Sequence, residues 1–215
     1  MRYVIGNWKA NKNFDEVRAW LQTFFNSYRS RSEVSVILCP PYPFISYLYE
    51  KLVSIENVFI GAQAISSIES GSYTGEVTAK SLAGMICYTI IGHSERRIVF
   101  KETNDDQIQK TLQAKKYGIE PIYCVRDEKD LIPENIKFVS YEPVYSIGTG
   151  QNESLEKILE MKKVLNLSKD TVFLYGGSVN EENLKEYTAS DEVNGFIIGG
   201  ASLDVNQFLR IVNSL

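Results

Sequence analysis

Histidine is almost absent from this chain, which has one such residue, His93, in 215. Any imidazole chemistry must therefore happen at that position. Cysteine is scarce too, with three residues, and no pair of them has the spacing of metal ligands. Each lies in an apolar, strand-like run, which predicts buried free thiols in a reducing compartment. The three are Cys39, Cys87 and Cys124.

Long apolar runs and an excess of basic charge are also missing. No stretch approaches the ~18 apolar residues needed to cross a bilayer, and the chain starts on a strand-like run without a charged and apolar leader. The formal net charge is -4, whereas nucleic-acid-binding domains are usually basic. No linker, repeat or low-complexity segment divides the sequence. We therefore expect one cytoplasmic domain over residues 1–215, with no membrane or nucleic-acid partner.

What the sequence does contain is an alternation of short apolar runs with helix-like stretches. The runs begin at Tyr3, Val34, Val58, Cys87, Ile119, Phe138, Thr171 and Phe196. Runs that are apolar on both faces indicate parallel strands covered by helices, and eight strand–helix units favour an α/β fold, the (β/α)₈ barrel. A doubly wound open sheet is the alternative, but it usually has a glycine-rich phosphate turn after its first strand. Residues 6–12 supply no such turn.

One unit of this repeat is too short. Residues 126–137, twelve in all and including Pro133, separate the fifth run from the sixth. A crossover between parallel strands needs about a dozen residues or more. The helix between strands five and six is therefore predicted to be shortened or missing.

Reactive side chains collect where the apolar runs end. Asn7 and Lys9 follow the first run, His93 the fourth and Glu142 the sixth. In a β/α barrel the carboxyl ends of all strands meet at one mouth, where active sites lie. An amine, an imidazole and a carboxylate are therefore predicted to face one another. Taken alone, His93 is equally compatible with a surface or packing role; the other strand ends favour catalysis.

Two turns of small residues, 176–178 (GGS) and 199–200 (GG), follow the last two runs. Barrels commonly bind phosphate at this place through backbone N–H groups and a helix N-terminus. After Glu142, residues 143–150 have apolar side chains in the middle and glycines at the end. This segment is either packed on the barrel rim or a lid that closes over a ligand and excludes water.

Seven motifs make the chain resemble the triosephosphate isomerase family. They are GNWKANK (6–12), GAQ (61–63), GSYTGEV (71–77), IIGHSERR (90–97), YEPVYSIGTG (141–150), YGGSV (175–179) and GFIIGGASL (195–203). They span nearly the whole chain, and the fourth and fifth are long and specific. The resemblance implies a TIM barrel that interconverts dihydroxyacetone phosphate and D-glyceraldehyde 3-phosphate through an enediolate, without metal or organic cofactor.

The resemblance also implies a role for each matching residue. Glu142 resembles the catalytic base, His93 the electrophile that polarises the carbonyl, and Lys9 the cation that holds the substrate. The other implied residues are Asn7, Gly148, Ser178, Gly199 and Gly200 for substrate binding, Glu95 and Tyr175 behind them, and Pro143, Val144, Tyr145, Ser146, Ile147, Gly148 and Thr149 for the lid. The chain departs from the family's pattern at Tyr145, where Trp is usual, and at Arg126-Asp127, which replaces a usual Gly-Glu.

The connection from Ser66 to Gly75 is long and shows no helical pattern. It matches the family's interdigitating loop at full length, which implies a homodimer in which Thr74 reaches the partner's active-site mouth near Lys9 and Glu95. The short 126–137 segment lies away from this loop and would expose a second adhesive surface, so a tetramer stays open.

Two rival functions stay open as well. Another phosphate-binding barrel, such as an isomerase or epimerase of pentulose phosphates, would lack the motifs around His93 and Glu142. A barrel kept only as a binding or scaffold protein would account for the missing helix. It would have no reason to retain Lys9, His93, Glu142 and the phosphate turns together.

Overall fold

The computed structural model describes residues 1–146 and 152–215. In this part of the chain eight parallel strands pair in sequence order, and the eighth also pairs with the first, so that the sheet closes into a barrel. The strands are β1 (Arg2–Asn7), β2 (Val34–Cys39), β3 (Val58–Ala62), β4 (Tyr88–Ile91), β5 (Glu120–Val125), β6 (Phe138–Tyr141), β7 (Val172–Tyr175) and β8 (Gly195–Ile198). The predicted (β/α)₈ fold is confirmed.

Helices on the outside of the barrel connect most of the strands. In the described ranges they are α1 (Phe14–Ser27), α2 (Ile45–Leu52), α3 (Ala79–Leu82), α4 (Ser94–Ile98), α5 (Asn104–Lys116), α6 (Leu155–Val164), α7 (Leu184–Thr188) and α8 (Val205–Asn213). Polar caps set where the longer ones begin: the side chains of Asn13, Thr103 and Ser154 each accept a backbone N–H of the first turn. None of the helices within residues 1–146 and 152–215 has the length and apolar character required to cross a bilayer.

Turns, and no helix, connect β5 to β6 across residues 126–137. The predicted shortening is therefore confirmed. Ile136 is buried against the outer core at this side of the barrel. Arg126 and Asp130, which pair through their side chains and through the backbone N–H of Arg126, tighten the start of the connection.

The apolar side chains form two cores because the strands are buried on both faces. The outer core lies between strands and helices, where the rings of Trp20 and Phe24 stack at 5.1 Å. The inner core fills the barrel, and at its amino-terminal end four aromatic rings meet edge to face. These are Tyr3, Phe59, Tyr88 and Phe138. These four rings form a plug that closes this end of the barrel, opposite the strand ends that carry the reactive side chains.

The cysteines only partly match expectation. Cys39 and Cys124 are buried, whereas Cys87 is exposed. The prediction of a buried thiol is therefore wrong at Cys87. This residue precedes β4 instead of lying within it, and side chains alternate along a strand, so its thiol points away from the barrel interior that holds the ring of Tyr88.

Candidate active site

The end of β1 holds Lys9 in an unusual backbone conformation. Its φ of 51° lies in the left-handed region, which is unfavourable for a residue with a side chain. The side chain of Asn7 accepts its N–H at 3.1 Å, and Nε2 of Gln63 donates to its carbonyl at 2.9 Å and to that of Cys39 at 3.0 Å. Strain held in place by neighbours in this way is typical of functional sites.

The ammonium group of Lys9 is directed by an ion pair. Its Nζ lies 2.6 Å from Oε1 of Glu95, in the first turn of α4. The two side chains remain 30% and 45% exposed, so the pair sits at the mouth of the barrel and the ammonium stays within reach of a ligand.

His93 stands where β4 turns into α4. Gly92 makes this turn with a φ of 75°, and His93 then caps the helix, its Nδ1 accepting the N–H of Glu95 at 3.2 Å. In a neutral imidazole with this accepting Nδ1, the proton is on Nε2. That Nε2 lies 3.7 Å from Oε2 of Glu142.

Glu142 follows β6 and is fully buried. Its Oε1 accepts a hydrogen bond from the thiol of Cys124 at 3.2 Å. Burial, together with the adjacent carboxylate, raises the pKa of Cys124 well above its ordinary value, so the sulfur keeps its proton and acts as donor. Oε2 is buried with no hydrogen-bond partner among the described residues. A buried carboxylate oxygen left in this way is costly, and it needs an explanation in function.

Small residues shape the opposite wall. A Cβ at Gly176 would lie 2.6 Å from Cγ of Glu142, whereas one at Gly200 would meet nothing within 4 Å. The first glycine lets the carboxylate approach β7, and the second leaves open space for a ligand. The turn at Gly199 and Gly200 is braced from behind, since Oγ of Ser202 donates to the Gly199 carbonyl at 2.7 Å.

These groups line one cavity of about 300 Å³ at the carboxyl-terminal mouth of the barrel. The structure brings together there seven of the residues predicted to be catalytic or substrate-binding, namely Asn7, Lys9, His93, Glu142, Ser178, Gly199 and Gly200. The remaining one, Gly148, lies outside the described residues.

The predicted lid is described only in its first half. Pro143 and Ser146 are buried, and Val144 and Tyr145 are exposed. The carbonyl of Ser146 accepts a hydrogen bond from Oγ of Ser178 at 2.6 Å, which ties this half to the turn after β7. Ile147 and Thr149 lie outside the described residues.

The other predicted residues lie around the cavity. Tyr175 is buried in the outer core, where its hydroxyl accepts the N–H of Glu153 at 3.0 Å. Glu95 holds Lys9, as described above. Thr74 is on an exposed turn of the connection between β3 and α3. Within residues 1–146 and 152–215 no group of three His, Cys, Asp or Glu side chains could hold a metal ion.

Sequence reasoning did not assign a role to two residues that the structure brings into the site. Gln63 follows the end of β3 on the same rim as Lys9, and that position was the available signal. Cys124 was interpreted as a buried thiol; its place near the end of β5, in register with Ser140 of β6, puts it beside Glu142. A buried carboxylate, an imidazole, an ammonium group directed by an ion pair and a glycine turn line one cavity, an arrangement typical of a barrel enzyme for a small anionic substrate.

The comparisons with known proteins identify the family. The family model described as triosephosphate isomerase matches residues 2–215. The chain is 35% identical to the triosephosphate isomerase of Mesomycoplasma hyopneumoniae (strain 7448), with 99% of each chain covered. It is 34% identical to that of Hahella chejuensis (99% and 98% covered) and 33% identical to that of Aquifex aeolicus (99% of each).

The chain belongs to the triosephosphate isomerase family. It is an isomerase that interconverts dihydroxyacetone phosphate and D-glyceraldehyde 3-phosphate, a step of glycolysis. The three alignments run over 243 to 245 positions, more than the 215 residues of the chain. The relatives therefore carry residues that this chain lacks.

Proposed function

We propose that Glu142 is the base that removes a proton from the carbon next to the substrate carbonyl. The observation that carries this assignment is its Oε2 atom, which is buried without a hydrogen-bond partner in the described chain and belongs to a residue of the cavity wall. The thiol of Cys124 fixes the other oxygen, Oε1, so Oε2 is the oxygen left to act on a ligand in the cavity. A carboxylate deprived of water accepts a proton more readily.

His93 and Lys9 act on the oxygens of the substrate. The Nε2 proton of His93 is donated to the carbonyl oxygen as Glu142 takes the carbon proton, so that the enediolate becomes an enediol. His93 then takes the proton of the other oxygen, and protonated Glu142 returns its proton to the former carbonyl carbon, which completes the isomerisation. Lys9 supplies a positive charge whose attraction grows as negative charge develops on the substrate, and such fixed charges contribute strongly to catalysis. The side chain of Asn7 supports Lys9 by accepting its backbone N–H.

The phosphate group is bound by the turns after β7 and β8. It carries roughly -1.5 to -2 charges at neutral pH, and the backbone N–H groups of Gly199 and Gly200 with Ser178 offer it donors. The lid contributes Gly148, on the family resemblance alone. Closure of the lid would cover Val144 and Tyr145, which are exposed, and would exclude water from the reaction.

The assignment of the base is tested by Glu142→Gln, which keeps the shape of the side chain and removes its basicity. We expect the isomerase rate to fall about 10³-fold or more, while a phosphorylated substrate analogue still binds. Glu120→Gln is the matched control, since Glu120 begins β5 at the plugged end of the barrel; it should leave the rate unchanged. A Glu142→Gln rate within tenfold of wild type would refute the assignment.

We also propose a homodimer formed through the face that carries Thr74. Three consecutive apolar side chains at the end of α4 and directly after it are exposed: Ile98, Val99 and Phe100. Phe100 lines one cavity with Gly75, at the end of the Ser66–Gly75 loop, so the run and the loop share a face. Apolar patches of this kind mark protein interfaces. A partner's loop docked there would brace Lys9 and Glu95.

Light scattering with activity measurements tests the dimer. Val99→Asp should give monomers with little activity, whereas Val164→Asp, at an exposed apolar residue of α6 away from this face, should leave a dimer intact. A tetramer is the alternative; the wild type would then have the mass of four chains, and Val164→Asp would reduce it to two. A fully active monomer at micromolar concentration contradicts the proposal.

The glycolytic role and the free thiols support a cytoplasmic location.

A further inference from the structure

We propose that Asp130, on the shortened connection between β5 and β6, is a positioning residue for the reaction. It holds the guanidinium of Arg97, which in turn fixes the ends of β4 and β5, next to His93 and to the thiol that contacts Glu142. The inference rests on the catalytic roles proposed above for those two residues.

Arg97 joins the ends of β4 and β5. Its Nε donates to the carbonyl of Gly92 at 2.6 Å, and its Nη2 donates to the carbonyl of Cys124 at 2.9 Å. Gly92 immediately precedes His93, and the thiol of Cys124 donates to Glu142. One guanidinium therefore holds both the residue before His93 and the residue that contacts Glu142. Its planar fork sets the spacing between the ends of β4 and β5.

The charge of this guanidinium requires compensation, because the Arg97 side chain is only 4% exposed and a buried unpaired charge is costly. The carboxylate that meets it is Asp130, whose Oδ1 lies 3.6 Å from Nη1 and whose side chain is 5% exposed. Nη1 also approaches Oδ1 of Asn104 at 3.4 Å, a neutral contact that supplies no countercharge.

Asp130 is itself held on both oxygens by Arg126. Nη2 of Arg126 donates to Oδ1 at 2.6 Å, and its Nε and backbone N–H donate to Oδ2 at 2.9 and 2.8 Å. Burial by itself would raise the pKa of Asp130, but these hydrogen bonds and the charges of both arginines outweigh it and hold the pKa below its ordinary value. The carboxylate is therefore ionised at neutral pH and fixed in orientation.

Asp127, the acidic residue of this connection that lies nearer to β5 in sequence, makes a different contact. Oδ1 of Asp127 accepts the N–H of Lys129 at 2.9 Å, on the exposed part of the same connection. The countercharge of Arg97 thus comes from within the shortened connection. The connection between β5 and β6 has no helix, but its Arg126–Asp130 ion pair contacts Arg97 behind the active site.

The test measures kcat per titrated active site together with KM in Asp130→Asn, which keeps the size of the side chain and removes its charge. We expect kcat to fall about tenfold or more, because small displacements of reacting groups are costly. KM and the affinity for a phosphorylated analogue should stay within about threefold, since the phosphate turns lie on other strands. Asp127→Asn is the matched control and should change neither constant. An effect confined to stability would leave kcat per site unaltered and would overturn the proposal.

A second variant covers the case in which Asp130→Asn fails to fold. Arg97→Lys keeps the charge for Asp130, but an ammonium group cannot span both carbonyls as the fork does, so kcat should fall similarly. The double variant should lose no more than either single one, because both act through one contact. Retention of kcat within threefold in Arg97→Lys would overturn the proposal. The proposed chemistry would survive that outcome, since it depends separately on Glu142→Gln being inactive.

Discussion

Gly176, directly after β7, lies so close to the carboxylate of Glu142, the proposed base, that a methyl group there should disable the enzyme without unfolding it. A Cβ at this position would be 2.6 Å from Cγ and 2.9 Å from Oε1 of Glu142. Ordinary contact begins at 3.4 Å, so relief of the 2.6 Å contact needs a shift of about 0.8 Å. The backbone at Gly176 is held by its N–H, which donates to the carbonyl of Tyr141 at 2.9 Å, so the side chain of Glu142 is the part that must move.

The size of this shift sets the expected loss. A misplacement near 1 Å of a reacting group costs about 10²-fold in rate. We therefore expect kcat of Gly176→Ala to fall about 10²-fold. Gly199 and Gly200, proposed to bind the phosphate, are untouched, and the N–H of Gly176 is already donated to the carbonyl of Tyr141. KM should therefore stay within a few-fold of the wild-type value.

A coupled isomerase assay gives kcat and KM, and urea unfolding of the same preparations shows whether the variant is folded. A folded Gly176→Ala enzyme with kcat within threefold of wild type would refute the reasoning, because Glu142 would then not need its observed position. An increase confined to KM would refute it too, since the methyl group would then be acting on substrate binding.

Two further predictions concern charged groups around the mouth. Lys9→Met should lower the isomerase rate by roughly 10²–10³-fold and weaken the binding of a phosphorylated analogue in a titration; if both survive, Lys9 is an ordinary rim charge. Asp130 should make stability depend on pH. Its pKa in the folded chain is held below the ordinary value of 3.8, so its contribution is present above that value and is lost as the pH falls through the folded-state pKa. Urea unfolding from pH 7 down to about pH 3 should show the advantage of wild type over Asp130→Asn shrinking, and a constant difference would contradict the pairing with Arg97 and Arg126.

The architecture could be predicted from the sequence because parallel strands covered on both faces leave a simple pattern. The run from Val34 to Cys39 is buried at every position, and the run from Phe138 to Tyr141 is too. Once the strands were in order, topology required their carboxyl ends to meet. For that reason Lys9, His93 and Glu142 could be expected at one mouth before any distance was known.

Contacts that depend on side-chain reach could not be predicted in this way. Arg97 donates to the carbonyl of Cys124, which lies 27 residues further along the chain, and its countercharge comes from Asp130, beyond that residue. No periodicity in the sequence predicts such contacts. The exposure of Cys87 was missed for a related reason. An apolar run does not reveal where helix cover ends, and Cys87 lies one residue before β4.

The proton transfer proposed for Glu142 is tested most directly by running the isomerisation in D₂O and following the products by NMR. Wild-type enzyme should place deuterium on the carbon next to the carbonyl in at least part of the product, because a proton held by a carboxylate exchanges with solvent. Glu142→Gln should place none there beyond the uncatalysed background. Wild-type turnover without any carbon-bound deuterium, or deuterium incorporation by Glu142→Gln at the wild-type rate, would contradict the assignment of Glu142 as the base.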